Sequence, residues 1–187
     1  MLPQAVRSAR LLLNAPGEAD IEAIAEYCRD PLFERFLTTP WPYTRRDAEY
    51  FVRDFVPGGW KSDTEFTWAI RSAPGTPLMG VIGWRARGDV GFWMGAPHRG
   101  HGYMAEALGA VADWVFATHD VDEIAWECLP GNVASAHVAR AAGFRYSGMA
   151  PVLVPARDGS LPDSWHGVLR RDGERDVADA AVAGWPL

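Results

Sequence analysis

Residues 91–108 read GFWMGAPHRGHGYMAEAL, and this stretch decides the fold. It begins with an apolar, aromatic run that is typical of a strand and ends with residues that favour a helix. Between the two, Gly100 and Gly102 flank His101 where the helix is expected to start. Main-chain N–H groups at a helix N-terminus lack partners inside the helix, and the helix dipole makes that end positive. The stretch therefore predicts a strand, a glycine-rich loop and a helix start that suits a pyrophosphate.

The predicted phosphate-binding residues run from the loop into the first turn of the helix. They are Arg99, Gly100, His101, Gly102, Tyr103 and Met104. Glycine lets the main chain approach phosphates closely and adopt positive φ values. Taken alone, the pattern also fits an ordinary glycine-rich helix start. Two other nucleotide-binding motifs are missing from the sequence: GxxxxGKS/T, and a GxGxxG that opens a βαβ unit near the N-terminus.

Around this stretch, hydrophobic spacing and turn residues predict a series of strands and helices. The predicted strands cover residues 6–13, 66–71, 78–87, 89–94, 123–129, 146–154 and 164–169. The predicted helices cover residues 18–29, 102–117 and 132–142 and a segment that starts at Thr44. Residues 31–43 are expected to form a proline-rich loop, and Pro57-Gly58-Gly59 to end the helix that Thr44 caps. This order predicts a mixed α/β domain in which helices cover a sheet.

Composition limits the classes of function that the chain can have. Of its 187 residues, 48% are hydrophobic and 22% charged, which suffices for a single buried core. One domain over residues 1–171 is expected, followed by a loosely ordered, charged and alanine-rich tail over residues 172–187. The net charge of −6 argues against binding to nucleic acid or to an anionic membrane.

The cysteines favour a reduced compartment, and the histidines give no indication of a metal site. Cys28 and Cys128 are the only cysteines, and their separation favours a cytoplasmic location over a disulfide framework. The N-terminus carries only a three-leucine run, too short for a signal peptide or a membrane span. The five histidines show no metal-ligand spacing, so no metal site is expected.

Two motifs, taken in order, resemble those of the GNAT acetyltransferase superfamily. Residues 91–108 are similar to its acetyl-CoA-binding motif, and their ending resembles the RimJ/RimL-type branch, which acetylates N-terminal amines of ribosomal proteins. Residues 126–144 are similar to the family's N-x-x-S-x-x-V…GF helix, with Asn132 and Ser135 at the family's spacing. The resemblance extends over residues 7–170 and implies a mixed, largely antiparallel twisted sheet of about seven strands, flanked by about four helices.

The resemblance implies an acyltransferase that moves an acetyl group from acetyl-CoA, its cosubstrate, to a primary amine by direct attack. An α-amine, with a pKa of about 8, loses its proton more easily at neutral pH than a lysine does, at about 10.4. The N-terminal α-amine of a protein or peptide is therefore the leading acceptor. A small-molecule amine, such as an amino sugar or a polyamine, is the alternative. A non-catalytic acyl-CoA-binding module and a homodimer both stay open.

Two residues are the candidate catalytic groups. Glu127 is the predicted general base, acting through water, because it lies in an apolar strand where N-terminal-alanine acetyltransferases of this superfamily place a glutamate. A solvent-facing strand glutamate is the plain alternative. Ser135 matches the family's serine near the cofactor sulfur and is predicted to protonate the leaving thiolate, unless it only serves the first turn of its helix. Glu106 is interpreted as structural.

Further cofactor contacts are implied by the resemblance. The main-chain groups of Trp93 and Met94 are expected to pair with the pantetheine amides, and Asn132 to contact the pantetheine arm, to cap its helix, or both. Two positions depart from the family pattern. Pro97 falls where the family has Gln or Arg and has no main-chain N–H. Ala139 aligns with a tyrosine that serves as general acid in some relatives.

Overall fold

The computed structural model describes residues 1–173 and 184–187, and at its centre lies one eight-stranded sheet. The strands are β1 (Val6–Arg7), β2 (Leu12–Asn14), β3 (Glu65–Arg71), β4 (Gly80–Arg85), β5 (Asp89–Met94), β6 (Glu123–Cys128), β7 (Arg145–Pro151) and β8 (Asp163–Arg170). Their order across the sheet is β1-β2-β3-β4-β5-β6-β8-β7. All neighbouring pairs are antiparallel except β5 and β6, which run parallel. The mixed, largely antiparallel sheet is confirmed.

The sheet begins with a hairpin where the sequence predicted one strand over residues 6–13. Ser8 turns the chain, because its N–H donates to the carbonyl oxygen of Leu11 at 3.1 Å and its hydroxyl accepts from the Leu11 N–H at 3.2 Å. The two short strands then pair antiparallel, with Val6 opposite Leu13. This hairpin adds one strand to the number that the resemblance implied.

Six α-helices lie in the described part of the chain. They are α1 (Ile21–Tyr27), α2 (Pro31–Phe36), α3 (Arg45–Tyr50), α4 (Val56–Ser62), α5 (Tyr103–Thr118) and α6 (Val133–Ala141). Helix α2 lies where a loop was expected, so that prediction was wrong. Asp30 caps it by accepting the N–H of Leu32 at 2.9 Å, and Pro31 occupies a first-turn position that needs no N–H bond.

The helix that starts after Thr44 does not end at Pro57-Gly58-Gly59 as predicted. Thr44 does cap α3, and Asp47 completes the capping box by accepting the Thr44 N–H at 2.7 Å. A π-helical turn over Phe51–Phe55 then leads into α4, and Pro57 lies in the first turn of α4. Gly59 is needed inside α4, since a Cβ there would lie 2.5 Å from the carbonyl oxygen of the first residue of β3.

A hydrophobic core lies on each face of the sheet. On one face α4, α5 and α6 pack around large side chains that are almost fully buried, namely Trp60, Trp68, Trp84 and Trp126. On the other face α1, α2 and α3 cover one end of β3, β4 and β5, where Ala69, Val81 and Trp93 lie. At the opposite end of those three strands, the residues paired across the sheet are charged: Glu65 lies opposite Arg85, and Arg85 opposite Asp89. The second core thus leaves this end of the face polar.

The sheet opens between β5 and β6. These strands pair only through Asp89 with Ala125 and Val90 with Trp126. Residues 91–94 of β5 pair with β4 alone. Because α5 connects two parallel strands, its N-terminus comes to the end of β5 where the gap is widest. The divergence of the two strands creates the space in which the candidate site lies.

The end of the chain returns to the domain. Most of the predicted tail lies outside the described residues, which exclude 174–183. Trp185 is buried, with its ring centre 5.5 Å from that of Trp126 and 5.6 Å from that of Tyr146. In the described part of the chain, no helix combines the length and the apolar character that a membrane span requires.

Candidate functional site

A cleft of about 1090 Å³ occupies the gap between β5 and β6. Its walls come from the ends of these strands, from the N-terminal turns of α5 and α6, from α2, and from residues 152–162, the connection between β7 and β8 that we call the strap. Two helix N-termini therefore face one cavity. Their dipoles give it a positive potential that favours an anionic ligand.

The loop that enters α5 presents a run of main-chain donors to the cleft. Gly100 and Gly102 have φ angles of 80° and 76°, in the left-handed region that favours glycine. The first hydrogen bond of the helix runs from the Glu106 N–H to the carbonyl oxygen of Gly102, at 3.1 Å. Within residues 1–173 and 184–187, no acceptor binds the N–H groups of residues 100–105. Six successive amides are thus available to an anion.

Glu106 holds this loop from behind. Its carboxylate accepts from the hydroxyl of Ser8 at 2.6 Å, from the N–H of Arg10 at 2.8 Å and from Nε of Arg10 at 2.6 Å. Arg10 also donates to the carbonyl oxygen of His101 at 3.2 Å and lies over the ring of Tyr103. Burial acts to raise the pKa of Glu106, but these hydrogen bonds outweigh it and lower that pKa. The geometry fits the structural interpretation of Glu106, which joins the β1–β2 turn to the loop.

Arg99 and the residue before it brace the other side of the loop. Nε of Arg99 donates to the carbonyl oxygen of Met94 at 3.0 Å, and its Nη2 lies 2.7 Å from the carboxylate of Asp30. The ring of His98 lies 3.1 Å from the hydroxyl of Tyr27, and burial lowers the pKa of His98, so it is neutral at pH 7. Since Asp30 balances the Arg99 charge, most of the loop's capacity to bind an anion lies in its main chain.

The open edge of β5 carries further main-chain groups. Gly95 donates its N–H to the carbonyl oxygen of Met79 at 2.9 Å, and because bonding direction alternates along a strand, Trp93 also points its main chain toward β4. The main-chain N–H and C=O groups of Phe92 and Met94 therefore point toward the cleft. The structure thus corrects the expectation for Trp93: the main chain of Phe92 lies beside that of Met94 at the open edge. Trp93 contributes its side chain, and not its main chain, to the cleft wall.

The start of α6 brings four side chains together, those of Asn132, Ser135, Trp126 and Cys128. Oδ1 of Asn132 accepts the N–H of Ser135 at 3.3 Å, so Asn132 caps the helix. Oγ of Ser135 accepts from Nε1 of Trp126 at 3.1 Å and keeps its own proton for donation, with the Cys128 sulfur as a neighbouring hydrogen-bond partner. Burial raises the pKa of the Cys128 thiol to about 12. That thiol is protonated at neutral pH and a poor nucleophile, which favours direct transfer over an acyl-enzyme.

Glu127 lines the cleft and also anchors the strap. Its carboxylate accepts the N–H of Leu153 at 2.6 Å and that of Val154 at 3.1 Å, and the hydroxyl of Ser164 lies 3.5 Å away. The side chain is only 13% exposed, so the alternative of a solvent-facing glutamate does not describe it. Oε2 accepts from both Leu153 and Ser164, whereas Oε1 accepts from Val154 alone among the described residues and keeps a lone pair for a further partner. Glu127 is therefore oriented by the strap and still able to accept a proton.

Arg157 fixes the other end of the strap. Its guanidinium donates to main-chain carbonyl oxygens at the C-terminal end of α2, those of Phe33, Glu34, Leu37 and Thr39. A cation suits the C-terminus of a helix, where carbonyl groups lack partners. The strap thus closes one side of the cleft between Glu127 and α2.

Most of the sequence-predicted residues meet in this one cavity. Those that line it are Trp93, Met94, Arg99, Gly100, Gly102, Tyr103, Met104, Glu127, Asn132 and Ser135. His101 is exposed and stacks on Tyr103, so only its main-chain N–H belongs to the loop of donors. Ala139 is fully buried in the core and does not line the cleft. Among the described residues, no group of three His, Cys, Asp or Glu could hold a metal ion.

Sequence reasoning missed several residues of the cleft. Phe92, Arg85, Arg35 and Arg157 line it as well. The strand predicted over residues 89–94 implies that main-chain groups alternate in direction. Only the pairing with β4 shows that those of Phe92 face the opening. No local pattern marks Arg85 or Arg157, whose places depend on strand register and on contacts between distant segments.

Comparisons of the sequence with known proteins agree with the geometry. A family model described as an acetyltransferase (GNAT) domain matches residues 10–145. The probable N-acetyltransferase YjcK of Bacillus subtilis (strain 168) is 28% identical over 97 residues, which cover 48% of this chain and 54% of that protein. The chain thus spans about half the length of the curated relative that it matches.

Solved structures share the fold over nearly the whole chain. A candidate ribosomal-protein-serine acetyltransferase from Vibrio cholerae gives a TM-score of 0.77 at 20% identity, covering 91% of this chain and 99% of that one. RimL, a ribosomal L7/L12 alpha-N-protein acetyltransferase in complex with coenzyme A, gives a TM-score of 0.76 at 19% identity. It covers 89% of this chain and 98% of its own. At these identities the likeness concerns the fold.

Proposed function

The chain belongs to the GNAT acetyltransferase family, and we propose that it is an acyltransferase that transfers the acetyl group of acetyl-CoA to a primary amine by direct attack. The observation that carries the proposal is the run of unpaired N–H groups over residues 100–105, at a helix N-terminus that faces a cleft. Such a terminus binds phosphate groups through its amides and its dipole. Coenzyme A in the RimL structure supports the same choice of cosubstrate.

The residues of the cleft fit the parts of acetyl-CoA. The amides of residues 100–105 suit the pyrophosphate, and the open edge at Phe92 and Met94 offers the alternating donors and acceptors that the pantetheine amides require. Acetyl-CoA supplies an activated acetyl thioester. The protein's residues then have to provide a neutral amine, a polarised carbonyl group and a proton for the thiolate.

Glu127 is the proposed base. It takes the proton of the acceptor amine through a water molecule, which leaves the nitrogen lone pair free to attack. The N–H groups of Leu153 and Val154 hold its carboxylate in one orientation, at a fixed place along the cleft. A base that is positioned in this way adds about 10²- to 10⁴-fold to a rate.

Ser135 is the proposed acid. Trp126 donates to its oxygen, so the hydroxyl proton points elsewhere and can go to the departing sulfur as the C–S bond breaks. The positive end of the α6 dipole lies at the same place and favours the developing thiolate. Because Ala139 is buried in the core, this position of α6 supplies no proton donor to the cleft.

The acceptor proposed first is the N-terminal α-amine of a protein or peptide, since RimL is named for alpha-N-acetylation of a ribosomal protein. A small-molecule amine, such as an amino sugar or a polyamine, is the second candidate. A module that binds acyl-CoA without catalysis is the third, and Glu127 and Ser135 in the cleft argue against it. A single domain over residues 1–171, a cytoplasmic location and a homodimer belong to the same proposal.

A thermal-shift titration with acetyl-CoA tests the cosubstrate. At 100 times its dissociation constant, acetyl-CoA should stabilise the folded state by about 2.7 kcal/mol. In a chain of this size that is a rise in Tm of about 5–10 °C. NAD and ATP at equal concentration serve as controls. A shift with either of them and none with acetyl-CoA would contradict the proposal.

A further inference from the structure

A cation that the proposed mechanism does not use lies in the wall of the cleft. Arg85, the last residue of β4, has one Nη atom bonded to the carboxylate of Asp89 and its Nε 3.8 Å from Glu65. The Asp89 side chain is 2% exposed and that of Arg85 27%, so the carboxylate side of this ion pair is shielded from water. Among the described residues, no acceptor binds the second Nη atom. The guanidinium is thus held by Asp89, with Glu65 nearby, and has one end free.

Gly91 makes room for that free end. A Cβ at position 91 would lie 2.9 Å from Nη2 of Arg85, so the guanidinium crosses the strand directly over this residue. A glycine inside a strand often marks such a close approach. Gly91 is also the first residue of β5 beyond the last pairing with β6. The free nitrogen therefore lies at the point where the sheet begins to open.

Strand register puts Arg85 and Glu127 on opposite sides of this opening. Arg85 pairs with Asp89, and Asp89 pairs with Ala125, so the three share one face of the sheet. Gly91 follows Asp89 by two residues on β5, and Glu127 follows Ala125 by two residues on β6, so both lie on this same face. The free guanidinium nitrogen of Arg85 thus lies on the β5 side of the opening, and the proposed base, Glu127, lies on the β6 side.

We propose that Arg85 is an acceptor-binding residue that recognises a carbonyl or carboxylate oxygen on the carbon next to the one that bears the reacting amine. The inference rests on the proposed function, with Glu127 on the amine side. An amine nitrogen and an oxygen so placed are about 3 Å apart. One acceptor can therefore present its nitrogen to Glu127 and its oxygen to Arg85 across the opening. A peptide N-terminus, an amino-acid amide and a free amino acid all carry it. A polyamine does not, and its second cation meets Arg85 unfavourably.

The test compares the acetylation of three small amines by the full chain. Alaninamide carries a carbonyl oxygen, alanine a carboxylate, and isopropylamine neither. In Arg85→Met, the KM for alaninamide should rise by about tenfold or more because a charge-assisted hydrogen bond is lost, while kcat stays near wild type. The kcat/KM for isopropylamine and the Tm shift with acetyl-CoA should not change. Arg85→Lys should restore part of the loss for alaninamide.

The choice of variant keeps the fold intact. Arg87 also binds the Asp89 carboxylate, at 2.6 Å, so the buried acid keeps a partner when Arg85 is replaced. Arg46→Met, at an exposed position of α3, is the matched control and should leave all three acceptors unchanged.

Each outcome has a meaning for the proposal. A larger effect for alanine than for alaninamide supports recognition of a free amino acid, and the reverse supports a peptide N-terminus. An equal loss for all three amines, or no loss for either alaninamide or alanine, overturns the role of Arg85. In either of those cases, wild-type turnover of isopropylamine shows that acetyl transfer itself stands, whereas turnover of none of the amines by the wild-type chain overturns both.

Discussion

The two ends of the cleft are built differently. At the α5 end, the main-chain amides of residues 100–105 have no partner in the described chain. At the Glu127 end, the key group is a side chain that already accepts the N–H groups of Leu153 and Val154, 26 and 27 residues away. The first end results from local backbone geometry. The second depends on the strap being in place, so a change in the strap alters the chemistry but not the anion site.

The largest expected effect is at the Glu127 end. Glu127→Gln should lower kcat by about 100-fold or more, because the amide cannot accept the proton from the acceptor amine. The Tm shift with acetyl-CoA should stay at the wild-type value, since the amides that bind it lie at the other end. Steady-state kinetics beside a thermal-shift titration measures both.

Glu123→Gln is the matched control for this prediction. Glu123 lies on the same strand with its side chain 58% exposed, and its nearest cation, Arg170, is 3.9 Å away. It should behave as wild type. If Glu127→Gln kept wild-type turnover across the pH range, Glu127 would be only the anchor of the strap.

A smaller effect is expected at the α5 end. Gly102 has a φ of 76°, and a β-branched residue there costs about 1–2 kcal/mol or displaces the loop. Gly102→Val should therefore weaken acetyl-CoA binding by about tenfold, since each 1.4 kcal/mol is a factor of ten in affinity. Isothermal titration calorimetry measures this change.

Gly109→Val is the control for the α5 end. Gly109 lies in the same helix with open space around its Cα, and valine is no poorer a helix former than glycine. Equal affinity for acetyl-CoA in Gly102→Val and Gly109→Val would mean that the loop geometry does not serve binding.

The same contrast explains what the sequence alone could predict. The loop from Arg99 to Met104 could be proposed from the sequence because its chemistry lies in glycine and in the start of a helix, both of which are local. The main-chain contact was predicted for Trp93, whereas the main chain of Phe92 faces the opening, because the direction of alternation depends on pairing with β4. Arg85 depends on register across three strands, and no sequence pattern contains that.

Part of the fold was beyond prediction for a similar reason. Pro57 was expected to end a helix, but the π-helical turn before it places the proline in the first turn of α4. Arg157 reaches carbonyl groups more than 100 residues away, so only the folded chain brings them together. Short-range signals predicted that β3 to β8 form and follow one another along the chain. Contacts between distant segments decided how the cleft is closed.

The smallest expected effect concerns the support behind the loop. The folded-state pKa of Glu106 is lowered, so the hydrogen bonds of its carboxylate add stability above the usual pKa of 4.5, and that stability is lost as the pH falls through the folded-state value. Glu106→Gln should lower the free energy of unfolding by about 1 kcal/mol at pH 7. In acid, well below the folded-state pKa, the difference should vanish.

Urea unfolding at several pH values measures this difference. Glu26→Gln, at an exposed position of α1, is the control and should match wild type at each pH. A difference for Glu106→Gln that did not depend on pH would show that the charge of Glu106 does not stabilise the loop.

Amide NMR on the ¹⁵N-labelled chain shows whether the main-chain N–H groups of residues 100–105 bind the pyrophosphate. Coenzyme A and pantetheine, which has no pyrophosphate, are titrated separately. Coenzyme A should move the amide proton signals of these residues downfield, as hydrogen bonds to phosphate form, while pantetheine leaves them in place. Equal shifts with both ligands, or shifts by coenzyme A confined to other residues, would contradict pyrophosphate binding by these amides.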